Sequence, residues 1–263
     1  MSLTINREQL EKLEGLIGYG RPDAEIIYFG LEEAGGGSKN LEQRLRIDDY
    51  EFLDCKRFHL DFLAQGDSSY RLHSDDKDAK VKFQPVWMYM SYIMLKMKGL
   101  SKDEMSANDS FELRKYQNNL LGTKSADGKT LLADIYPIPC ASLNSWGSKN
   151  ESYNDVIPFY KDKKDYKEKV LSKRVDLFKK LLNSETSRTK SIICYGRSHW
   201  KEFAKFFDEF EASFSPLTLS KPCKFSRLND GTSVYLVPFF GNGQMSYEFL
   251  DELVDHIKSE SNP

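Results

Sequence analysis

Four short stretches of this chain carry the side chains that could do chemistry. In Gly30-Leu31-Glu32-Glu33-Ala34-Gly35-Gly36-Gly37, two carboxylates sit in a loop whose glycines let backbone amides approach a ligand. The spacing is not GxGxxG and no GKS or GKT follows, which excludes a dinucleotide fingerprint and a Walker loop. Solvated glutamates on a surface turn are the bland alternative. Asp134 lies inside the apolar run Thr130-Leu131-Leu132-Ala133-Asp134-Ile135-Tyr136, with Asn144 and Trp146 close behind. An ionised, unpaired carboxylate is costly there, so Asp134 either faces a ligand or is capped by hydrogen bonds. Gly196-Arg197-Ser198-His199-Trp200 opens a helix, with His199 expected on its surface. Pro238-Phe239-Phe240-Gly241-Asn242-Gly243-Gln244-Met245-Ser246 is apolar, then glycine-rich, then polar, and Ser246 suits the N-cap of a following helix. Its two aromatics are either a core plug or a stacking platform.

Each stretch follows or includes a short apolar segment rich in β-branched or aromatic residues: 25–30, 130–136, 191–196 and 233–238. Their apolar character is nearly continuous rather than alternating, which suits the inside of a parallel sheet covered on both faces. Apolar residues at three- and four-residue spacing predict helices over 7–16, 84–98, 110–121, 167–182, 199–210 and 246–258. The alternation predicts an α/β fold, a three-layer α/β/α sandwich with a four-stranded parallel sheet. In such sheets ligands bind outside the carboxyl ends of the strands, where all four stretches fall. No internal repeat or low-complexity linker interrupts the chain, so residues 1–263 read as one domain, with a helical or loop insertion at about 37–80. Residues 145–166 read as a long loop leading into a basic helix start. The lysines of 161–174, offset by Asp162, Asp165 and Glu168, read as a solvated helix face.

Composition narrows the classes. With 17 Phe, 14 Tyr, 3 Trp and 40% hydrophobic residues, the chain is not an intrinsically disordered one. Lys and Arg number 38 against 40 Asp and Glu, so no global positive field draws the molecule onto a polyanion. A nucleic-acid site has to be a local patch, for which Lys221, Lys224, Arg227 and Arg197 are the candidates. Cys55, Cys140, Cys194 and Cys223 contain no CxxC pair, so reduced thiols are expected, with no metal site and no cofactor. The polar N-terminus is unlike a signal peptide, and the most apolar run, 86–97, is too short to span a membrane and contains Lys96. A soluble cytoplasmic protein without membrane contact is expected.

Together the four stretches resemble the uracil-DNA glycosylase superfamily over about residues 22–258. That family has a four-stranded parallel sheet between helices. Its first motif, after strand one, runs Gly, any residue, then Asp, Asn or Ala, then Pro, then Tyr or Gly. An Asn ends strand two, a Trp-Gly or Leu-Gly step follows strand three, and His-Pro-Ser or Asn-Pro-Ser follows strand four. The counterparts here are Gly30-Leu31-Glu32-Glu33-Ala34-Gly35, Asp134, Tyr195-Gly196, and Leu236 to Ser246. The resemblance implies a flipped base stacked on an aromatic ring and read at its edge by the residue at position 134, with a first-motif residue positioning water. It places Glu32 as the group that activates water or stabilises a cation-like sugar. Asp134 stands where the family has Asn; an ionised Asp only accepts hydrogen bonds, which favours an amino-bearing base edge over uracil. Glu33 stands at the first-motif proline. Phe239 stands where a His or Asn would be, unless the loop shifts so that Asn242 takes that role. A phenyl ring cannot donate the hydrogen bond with which the family His stabilises the departing base anion.

The implied catalytic set is therefore Glu32, Asp134 and Asn242. The implied substrate contacts are Gly30, Glu33, Gly35, Tyr136, Trp146, Arg197, Phe239 and Phe240, with DNA or a nucleotide as partner. Three readings stand together: an N-glycosidic hydrolase, a non-catalytic nucleotide or nucleic-acid binding module on the same fold, and an interaction protein whose loops carry nothing.

Overall fold

The structure, a computed structural model, describes residues 3–66, 71–79, 81–105, 110–241 and 243–261. In chain order the first half comprises α1 (Arg7–Gly15), β1 (Gly18–Gly20), β2 (Ile26–Ala34), α2 (Ser38–Leu45), β3 (Phe52–Leu53), α3 (Cys55–Ala64), α4 (Pro85–Met97), α5 (Lys102–Met105) and α6 (Phe111–Asn119). The second comprises β4 (Thr130–Cys140), α7 (Lys163–Leu182), β5 (Ser191–Tyr195), α8 (Trp200–Asp208), β6 (Ser215–Leu217), β7 (Cys223–Arg227), β8 (Ser233–Val237) and α9 (Tyr247–Ser261).

The four apolar segments lie side by side as the parallel centre of the sheet, β4-β2-β5-β8. The sheet is α/β but mixed, and the expected four strands are four of eight in the order β3-β1-β4-β2-β5-β8-β7-β6. On one side β1 runs antiparallel to β4, and β3 extends the edge from within residues 37–80. On the other, β7 and β6 add antiparallel strands to β8. The edge strands of two, three and five residues escape a sequence reading because so short a run carries no period.

Helices cover both faces because alternate residues of the central strands point to opposite sides. Ile27, Phe29 and Leu31 of β2 pack with α1, α7 and α8, whereas Ile26 and Tyr28 pack with α4, α6 and α9. All six helices expected from periodicity are present, with ends shifted by a few residues. The largest shift places the start of α7 at Lys163, where the Asp162 side chain accepts from the Asp165 amide as N-cap.

The carboxyl ends of β2 and β4 differ from the sequence expectation. Leu31, Glu32, Glu33 and Ala34 continue β2 rather than forming a loop, and β4 runs on to Cys140. Glu32 pairs with Tyr136 and Ala34 with Cys140, so the register slips across Pro137-Ile138-Pro139. Two prolines cannot donate to a ladder, and the strand bulges there. Side chains complete the hydrogen bonding: Arg44 donates to Pro137 O (3.1 Å), the Tyr166 hydroxyl accepts from Ile138 N (3.0 Å) and the Tyr153 hydroxyl donates to Pro139 O (3.0 Å). Gly36, at φ +86°, belongs to this join, since a Cβ on it would lie 2.4 Å from Pro139 O.

Candidate active site

Asp134 and Tyr195 converge over Gly30 at the carboxyl ends of three neighbouring parallel strands. A Cβ on Gly30 would sit 2.1 Å from Asp134 Oδ1 and 2.7 Å from the Tyr195 hydroxyl, so only glycine leaves room for both polar groups. Gly30 is the strand partner of Asp134, which fixes this juxtaposition through the ladder itself. Among the described residues no side chain hydrogen-bonds the Asp134 carboxylate. Burial, reinforced by the nearby negative charge of Glu33, pushes its carboxyl up to about 7. Burial also pushes the Tyr195 phenol well above its ordinary value, so that hydroxyl stays protonated.

The two glutamates turn to different cations. Glu32 Oε1 accepts from Lys163 Nζ at 2.6 Å, with side-chain exposures of 4% and 9%, and Lys163 also donates to Ser142 O at 2.7 Å. Glu32 Oε2 is buried without a hydrogen-bond partner. Glu33 pairs with the buried Arg44 and accepts from the Tyr19 hydroxyl at 2.8 Å. Arg44 is fixed further by Asn40 Oδ1 (2.7 Å) and the Tyr19 hydroxyl (2.9 Å). Burial works against its charge, but Glu33 and Tyr19 outweigh that and hold it firmly protonated.

The lysines of 161–174 form the expected solvated face at Lys161, Lys164, Lys169 and Lys173, but Lys163 departs from it. Lys163 is the counter-ion of Glu32, and Arg174, on the same helix, is fully buried. Its guanidinium donates to Ile135 O (3.0 Å), Asp134 O (2.9 Å), Leu16 O (2.5 Å), Glu14 O (3.2 Å) and Ile17 O (3.4 Å). It therefore caps the C-terminus of α1 and holds the backbone of Asp134 in place.

No protein-family model, no curated protein and no solved structure matches this chain.

The other expected contacts are distributed unevenly. Tyr136 is buried, with Lys167 Nζ 4.8 Å from its ring centroid. Trp146 stacks on Tyr166 (4.9 Å, 30°), and its Nε1 is buried without a partner. Glu32 and Trp146 therefore both contact the first turn of α7, one with an orphaned acceptor and one with an orphaned donor. Gly35 is an exposed turn residue at φ +107° with open space beside it. Phe240 is fully buried and stacked on Tyr195 (5.3 Å, 14°), so it is a core plug that braces the Tyr195 hydroxyl. Phe239, half-buried, lies tilted beside the same ring at 6.3 Å. Asn242 lies outside the described residues. Arg197 and Lys224 both sit 5.9 Å from the Trp200 ring, forming one small basic pair. Arg227 instead pairs with Glu260, and Lys221 is half-buried. His199 is half-buried, with Nε2 3.3 Å from the Ser198 hydroxyl. A groove of about 700 Å³ opens between α2, β3 and α3, away from the carboxylates. Its Arg46, Arg57 and Lys124 face Asp48, Asp54 and Asp61, a self-compensating lining.

Sequence reasoning missed Lys163, Arg44 and Tyr19, which come from distant segments with no local signal. It also missed Cys55 and His59, whose i,i+4 spacing on α3 was legible.

Proposed function

We propose that the protein hydrolyses an N-glycosidic bond of a nucleobase, in DNA or a nucleotide, as a divergent uracil-DNA glycosylase-like enzyme. The observation that carries this reading is the placement of two differently poised carboxylates, Asp134 and Glu32, at the carboxyl ends of adjacent parallel strands. Asp134, with a carboxyl near neutrality, is present as acid and as carboxylate at pH 7. In its acid form it both donates and accepts, as an Asn does, so it can read a base edge and protonate a departing base. The orphaned Glu32 Oε2 accepts from an attacking water or faces the cation-like sugar, while the contact from Lys163 to Oε1 fixes the side chain. The Tyr195 hydroxyl is a further donor beside Asp134.

The test is base release from single- and double-stranded oligonucleotides carrying uracil, hypoxanthine, alkylated and normal bases. Wild type should produce abasic sites on at least one substrate, and Glu32→Gln should lower the rate by about 100-fold or more while circular dichroism stays unchanged. No release from any base would overturn the enzymatic reading.

A non-catalytic binding module is the second reading, favoured by one observation: each glutamate is already neutralised, Glu32 by Lys163 and Glu33 by Arg44. It predicts saturable nucleotide or oligonucleotide binding without abasic product.

A further inference from the structure

Away from the carboxylates of β2 and β4, the fold brings together three side chains that the proposed reaction does not use. Cys55 opens α3 and His59 follows one turn later, so their side chains share a helix face. His73 comes from the segment 71–79, which is held against α6 by Ser74 N donating to Asn118 Oδ1 (2.8 Å) and Gln117 Nε2 donating to Leu72 O (3.2 Å). One donor atom of each residue lies within 4.8 Å of the other two. Cys55 Sγ is 3.9 Å from His59 Nδ1, and the two histidine Nδ1 atoms are 3.0 Å apart. Tetrahedral zinc, with bonds of about 2.0–2.1 Å to nitrogen and 2.3 Å to sulfur, sets such donors roughly 3.3–3.6 Å apart. Side-chain adjustments of a few tenths of an ångström bring the two measured separations to these values, and the Cys55–His73 separation, within 4.8 Å, closes by rotation of the side chains.

The surroundings suit a metal. Cys55, His59 and His73 are 1%, 5% and 4% exposed, and the Trp87 ring stacks on His59 at 5.4 Å. The two histidines face one another through Nδ1, so those nitrogens and Cys55 Sγ are the donors turned to a common point, while His73 Nε2, across its ring, is buried with no hydrogen-bond partner. One thiolate with two imidazoles selects a borderline-soft ion over magnesium or calcium.

We propose that Cys55, His59 and His73 are three protein ligands of a zinc ion that pins the segment 71–79 to α3, with the fourth position left to water or a small ligand. Binding releases the Cys55 thiol proton to solvent, with no change of oxidation state. The site stands independently of the glycosidic reading.

The experiment is titration of the reduced, chelator-treated full chain with Co(II), followed by displacement with Zn(II). One Co(II) per chain should give a thiolate-to-cobalt charge-transfer band that one equivalent of Zn(II) abolishes, and Zn(II) should raise the melting temperature. Cys55→Ser should lose the band, and His73→Gln should weaken Zn(II) binding by at least about 100-fold while leaving secondary structure intact. The proposal is overturned if wild type shows no stoichiometric band, or if the band persists in Cys55→Ser. Should Cys55→Ser fail to fold, the wild-type titration and His73→Gln decide alone: unchanged zinc affinity in His73→Gln overturns it.

Discussion

Asp134 is the residue whose ionisation the fold opposes most directly among the candidate site groups, and the consequence is a measurable pH dependence. Its folded carboxyl titrates near 7 against an ordinary 3.8, because burial and the neighbouring Glu33 disfavour the anion. Between those values the folded protein binds a proton that the unfolded chain releases. The contribution is therefore fully present below about pH 3.8 and is lost as the pH rises through about 7. Asp134→Asn, which cannot ionise, should stabilise the protein above pH 7 by about 1–3 kcal/mol and change little near pH 4. Chemical denaturation at pH 8 and pH 4 checks this; an equal effect at both would show that Asp134 carries no such penalty. The same variant run in the base-release assay reports on base choice, because Asn donates and accepts at every pH. Unchanged substrate preference would remove Asp134 from base reading.

α7 is the element that organises the site. Its first turn supplies Lys163 to Glu32 and Tyr166 to the bulge of β4, and two turns further on Arg174 holds Asp134 O. A buried pair is costly to break from one side, because the remaining charge is stranded. Lys163→Met should therefore destabilise by about 3–5 kcal/mol, and the double variant Glu32→Gln with Lys163→Met should recover a large part of that loss. Urea denaturation of the four proteins in the cycle gives the coupling; additive effects would mean that Glu32 and Lys163 do not depend on one another. A lysine cluster offset by acids reads as a solvated face because sequence shows the helix period but not which side meets the sheet. Lys163 and Arg174 lie on the side that packs against β4, and that packing turned two charges inward.

For the whole molecule, a formal net charge of −2 leaves attraction to nucleic acid to local groups, and the structure gathers Arg197 and Lys224 around Trp200. If DNA is the partner, the double variant Arg197→Ala with Lys224→Ala should weaken oligonucleotide binding. It should also shallow the slope of log affinity against log salt by about 1–2, as each lost phosphate contact removes one released counterion. An unchanged slope would place the nucleic-acid surface elsewhere. The sequence by itself determined the α/β class, the four central strands and the six long helices. Each of these follows from a local period or a run of apolar residues that one stretch of chain contains. It also marked Gly30, Glu32 and Asp134, since carboxylates in or beside apolar strand ends stand out without any knowledge of neighbours. Only the tertiary structure decided that β2 runs on through Glu33, that Lys163 and Arg44 neutralise the two glutamates, and that Phe240 is a brace rather than a platform. It alone brought His73 to Cys55 and His59. Those outcomes depend on strand order, register and the packing of distant segments, 131 residues apart for Glu32 and Lys163. Such pairings are set by the burial of whole faces, and no local spacing in the chain encodes them.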